Sequence, residues 1–121
     1  MKKLKRNNCA TCTISIFGKT IYCYLTKEDF NNQMRWFGAK EYDLEENTGV
    51  FNWLLHNNGC RTYHIGVFAK DLGVLVHEIA HCSRQILKDA GIDCNSDCGN
   101  ETQAYLSQFI FDEFNGFVND L

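Results

Sequence analysis

The chain has 121 residues, of which 45% are hydrophobic, 13% aromatic and 22% charged, enough apolar material for one domain with a real core. A net charge of −3 argues against a general nucleic-acid binder, and no apolar run approaches the roughly 20 residues of a membrane span. The basic start, Met1-Lys2-Lys3-Leu4-Lys5-Arg6, runs into Asn7-Asn8-Cys9 instead of the apolar stretch of a signal peptide, so it reads as a solvated tail and the chain is expected to be cytoplasmic.

Residues 11–17 are rich in β-branched side chains and predict a strand. Gly18-Lys19 is a plausible two-residue turn, and residues 20–25 return as the second strand of a hairpin. Thr26 with Asp29 has the form of a capping box and opens a helix over about 27–37, which Gly38 ends. Residues 39–49 are acidic and turn-like. A strand over 50–56 and a partner over 61–68 are joined by the turn signal Asn57-Asn58-Gly59.

The clearest helix follows. Asp71 is a good N-cap, and Leu72, Leu75, Val76, Ile79, Ser83, Ile86, Leu87 and Ala90 share one stripe at helical spacing. Gly91 suits the position after its end. Residues 91–100 are turn-rich and lead to a last helix over about 101–118. The expected class is α+β, with residues 1–121 as a single domain: a small antiparallel or mixed sheet packed against two or three helices.

The chemistry concentrates on the clearest helix. His77-Glu78-Ile79-Ala80-His81 reads H-E-x-x-H. Residues four apart share a helix face, so the two imidazoles can converge on one Zn²⁺. Glu78 then stands beside the metal, free to take a proton from water that the metal activates. A catalytic zinc site wants a third protein ligand. Glu101, twenty positions past His81 at the start of the last helix, is the preferred candidate, with Asp93 and Asp97 as rivals.

These residues resemble the gluzincin branch of the zincin peptidases, in which H-E-x-x-H is followed by a glutamate on a later helix. Glu101-Thr102-Gln103-Ala104-Tyr105 also looks like the E-x-x-A-x stretch of ImmA/IrrE-type peptidases and of short zincin-like phage proteins. The resemblance covers about residues 61–115. It implies a zinc peptidase with a peptide or protein substrate, and an edge strand above the metal that pairs with extended substrate; residues 61–68 are the expected strand. Thermolysin-like enzymes carry an aspartate where this chain has Tyr105, whose hydroxyl is an alternative positioning group or oxyanion donor if it does not simply fill the core. The downstream histidine of large gluzincins is missing, and His64 is the candidate in its place.

Seven cysteines remain. Cys9-x-x-Cys12 and Cys94-x-x-x-Cys98 have spacings compatible with a second, Cys₄ zinc site, with disulfides, or with unrelated thiols. Cys82 points off the ligand face, and Cys23 and Cys60 read as core or edge fillers. Three functions thus compete: a metallopeptidase with Glu78 as general base, a binding or inhibitor protein on a zincin scaffold, and a cysteine-based zinc module with a fortuitous H-E-x-x-H.

Overall fold

A computed structural model describes residues 9–119. The basic stretch 1–6 lies outside them. The elements run β1 (Cys9–Ile14), β2 (Lys19–Tyr24), α1 (Lys27–Trp36), β3 (Gly49–Leu55), β4 (Arg61–Val67), α2 (Leu72–Asp89) and α3 (Asp97–Asn119). The expected α+β class holds, and the sheet is mixed: its order is β1-β2-β4-β3, with β2 and β4 parallel and the two outer pairs antiparallel. Among the described residues no helix is long and apolar enough to cross a membrane.

Strand parity divides the molecule into two cores. Cys12, Ile14, Ile21, Cys23, Tyr63, Ile65 and Val67 point to one face and pack with Leu75, Ile79, Cys82 and Ile86 of α2 and Leu106, Ile110 and Phe114 of α3. Tyr24 points to the other face and packs with Phe30 and Met34 of α1 and with Leu44. The sheet is therefore sandwiched between α1 and the α2–α3 pair. Such two-sided burial explains why β4 reads as an unbroken buried run from Tyr63 to Val67.

The first hairpin differs from expectation in its turn. β1 stops at Ile14, which pairs with Lys19, so Ser15–Gly18 form a four-residue loop closed by Phe17 N donating to Ile14 O and Gly18 N donating to Ser15 O. Two caps fall where the sequence put them: Thr26 accepts from Asp29 N, and Asp71 accepts from Gly73 N. The position of β4 is a correction. It was expected at the sheet edge and lies in the interior, between β2 and β3, and the edge beside α2 belongs to β3.

α3 begins four residues before the expected start. Ser96 Oγ accepts from Gly99 N, and Asn100 N donates to Ser96 O, so Ser96 is the helix cap and Cys98, Gly99 and Asn100 are its first turn. Gly99 is required there, because a Cβ would collide with the Asp93 carbonyl oxygen. Gly99→Ala is expected to destabilise the fold by about 1–3 kcal/mol, the usual cost of overpacking, read as a lower urea midpoint at unchanged slope. α2 and α3 are stapled by polar contacts: Ser107 Oγ donates to Ser83 Oγ at 2.9 Å, and Gln103 reaches Ala80 O and Ser83 Oγ at 3.4 Å.

Candidate metal centre and its groove

α2 buries Leu75, Ile79, Cys82, Ile86 and Leu87 against the sheet, which turns His77 and His81 outward. The two rings, one helical turn apart, have centroids 5.0 Å apart. Glu78 lies a third of a turn round the helix and is buried beneath them. Potential ligand atoms of His77, Glu78 and His81 all lie within 4.8 Å of one another. Two imidazoles and a carboxylate are a donor set that divalent transition metals accept, so the residues fit a divalent metal ion.

Burial pushes the Glu78 carboxyl up from its ordinary value, and His77 and His81 oppose that shift. The carboxylate occupies space left by a missing side chain: a Cβ on Gly49 would stand 2.9 Å from Glu78 Oε2 and would strike Val74. Gly49 leaves room for the edge strand to pass directly over Val74 and Glu78 of α2.

That strand defines a groove. Phe68 N donates to Thr48 O, and His56 N donates to Cys60 O, which sets the hydrogen-bonded pairs of the β3–β4 ladder at even positions of β3. The main-chain groups of Gly49, Phe51, Trp53 and Leu55 therefore turn to the outer edge of β3, which no other described strand pairs. Between this edge and α2 lie two clefts. One, of about 550 Å³, is lined by Glu46, Thr48, Gly49, Asp71, His77 and Glu78, among others. The second, of about 370 Å³, is lined by Phe51, Asn52, Trp53, His81, Arg84, Gln85 and Lys88. His77 lines the first cleft and His81 the second, so the histidine pair lies between them.

Other expected site residues lie elsewhere. Glu101 is exposed on the first turns of α3 and is not part of the His77–Glu78–His81 group. Gln103 faces α2, and at about 100° per residue Glu101 and Tyr105 both fall nearly opposite to it, on the solvent side. Tyr105 is accordingly 67% exposed, neither core nor beside the histidines. Asp93 and Asp97 do not join the group either; Asp93 caps the loop by accepting from Asn95 N.

His64 is fully buried on the opposite face of the sheet from α2, where Nδ1 meets Tyr24 Oη at 2.9 Å and Nε2 meets Thr62 Oγ1 at 2.8 Å. Its ring stacks on Tyr22 with centroids 5.0 Å apart. An oxyanion role at the α2 face is excluded by the intervening sheet.

The cysteines do not assemble. Cys9 and Cys12 are three apart on a strand, so their side chains leave opposite faces: Cys12 enters the α2–α3 core, and Cys9 packs against the α1 core. All seven are free thiols, and among the described residues the only group of three or more His, Cys, Asp or Glu ligands is His77–Glu78–His81. Cys82 is buried with Cys12 and Cys23 nearby, and burial raises its thiol well above the ordinary value. Sequence reasoning missed Gly49 and Glu46, which carry no motif; only the sheet order places them at the groove.

Comparison with known protein families, with curated proteins and with solved structures returns no match for this chain.

Proposed function

We propose that this chain is a metal-dependent hydrolase of peptide bonds, with zinc as the natural ion, held by His77 and His81, and Glu78 as general base. The observation that carries the reading is the convergence of His77, Glu78 and His81 within 4.8 Å inside a groove bounded by a free strand edge. A divalent ion bound there would supply Lewis-acid activation of water and of the scissile carbonyl. The chain's own residues do the rest. The outward main-chain groups of Gly49, Phe51, Trp53 and Leu55 bind an extended peptide as an added strand, fixing its backbone beside α2. Glu78, buried under Gly49, accepts the proton of the attacking water and returns it to the leaving amine. Phe51 and the exposed ring of Trp53 offer apolar contact to substrate side chains and thin the water around the groove.

A second reading is favoured by one observation: Glu78, and not Glu101, is the carboxylate that meets the two histidines. If Glu78 completes the ligand set, the ion is structural and the groove is a peptide-binding surface without catalysis. Metal content per chain, measured by elemental analysis, comes first. The wild type is expected to hold about one zinc, His77→Ala to lose it, and Glu101→Gln to keep it. Zinc retained by His77→Ala would remove the site.

A further inference from the structure

The two clefts that flank the histidine pair carry opposite charge. The cleft at the start of β3 is lined by Glu46 and Asp71, with Glu78 at its floor, and Lys70, next to Asp71 in sequence, does not line it. The cleft beyond His81 is lined by Arg84 and Lys88 and by no acid. Asp89, next to Lys88 in the chain, is already engaged by Tyr63, Gln85 and Arg61. Arg84 and Lys88 have no salt-bridge partner among the described residues, and both are exposed. Glu46 is likewise exposed and without one, while Asp71 gives one oxygen to the Gly73 amide and keeps the other. A strand laid along β3 would therefore run from a negative end to a positive end, with the histidines at the midpoint.

We propose that the groove selects extended peptides of opposite polarity: a basic side chain toward Glu46 and Asp71, and an acidic side chain toward Arg84 and Lys88. The proposal rests on reading the groove as a peptide-binding surface. It specifies the order of charges along a peptide whose main chain pairs antiparallel with the β3 edge, the more stable sense. Ion pairs of this kind are individually weak in solvent, but two acting at opposite ends of a bound strand discriminate between charge orders by roughly fivefold to tenfold.

The test uses fluorescently labelled peptides of about ten residues, acetylated and amidated so that terminal charges do not interfere. One has two lysines before a neutral centre and two glutamates after it, one has the reverse order, and one is uncharged. Binding is measured by anisotropy on the Glu78→Gln protein, which leaves the peptides intact. A peptide paired antiparallel to β3 places its N-terminal half beside Arg84 and Lys88, so the order with glutamates first is expected to bind at least fivefold tighter than the reverse, with the preference fading between 50 mM and 500 mM salt, by general screening. In Glu46→Lys/Arg84→Glu, which leaves one charge of each sign in each cleft, the preference is expected to disappear. Equal affinity for the two orders, binding of none of the peptides, or a preference that survives the double substitution overturns the proposal. Cleavage of the same peptides by the wild type is scored separately. If nothing is cut while the order preference stands, the hydrolase reading fails and the groove's polarity does not.

Discussion

Glu78→Gln is expected to lower peptide hydrolysis by about 10²–10⁴-fold, the span typical of losing a positioned general base, while metal content and thermal stability stay at wild-type values. Glutamine keeps the volume that fills the space over Gly49 and keeps an amide to hydrogen-bond, so neither the edge strand nor α2 has reason to move. What it lacks is the basic oxygen. Burial already holds the Glu78 carboxyl above its ordinary value, which makes it a better proton acceptor near neutral pH than a solvated glutamate. The same substitution separates the two readings of the site. A base that does not bind the ion leaves zinc in place when it is removed; a third ligand takes the zinc with it. Elemental analysis and kcat/KM on one preparation therefore decide the role. Undiminished turnover in Glu78→Gln would end the general-base assignment, and parallel loss of zinc and turnover would make Glu78 a ligand.

The elements with local signals were legible from the sequence. α2 and α1 carry an N-cap, and α2 also a long apolar stripe, and both stand within a residue or two of their expected limits. The pair His77 and His81 follows from α2 alone, since i and i+4 share a face whatever the rest of the chain does. The sheet order was not legible, because it depends on which strands α1 and the second hairpin bring together. β4 looked like an edge strand from its position just before α2; its burial on both faces is the signature of an interior strand, and that is set by β2 pairing with it in parallel. The same missing information displaced the groove from residues 61–68 to β3. Spacing alone points to Glu101, and spacing does not fix helical phase. With the α3 cap at Ser96, the packed side of that helix is held by Gln103, Leu106 and Ser107, and Glu101 turns to solvent. The C-x-x-C reading failed on strand parity: a spacing of three that closes a metal loop in a turn splits across a sheet when the segment is β1.

Acid is expected to destabilise this fold through His64. Burial, reinforced by nearby His56, drops His64 to about 3, whereas in the unfolded chain it titrates near 6.5. Between those values the unfolded chain binds a proton that the folded protein refuses. Stability from this group is therefore complete above roughly pH 6.5 and declines as pH falls toward 3, and linkage puts the loss at about 2 kcal/mol by pH 5. The structure shows why the proton is refused. The neutral ring has one N–H and one bare nitrogen, matched to Tyr24 Oη and Thr62 Oγ1, and Thr62 Oγ1 is itself held by His56 Nε2 at 2.7 Å. Around it stand the rings of Tyr22, Tyr24 and Phe37, which offer no anion to balance an imidazolium. Urea unfolding of the wild type and of His64→Gln at pH 7.5 and pH 5 isolates the effect, because every other titrating group is common to both. The variant is expected to be less stable at pH 7.5 and to lose about 2 kcal/mol less than the wild type on going to pH 5. Equal losses would mean that His64 takes up its proton within the folded protein, and that the aromatic layer between β4 and α1 opens to water before the chain unfolds.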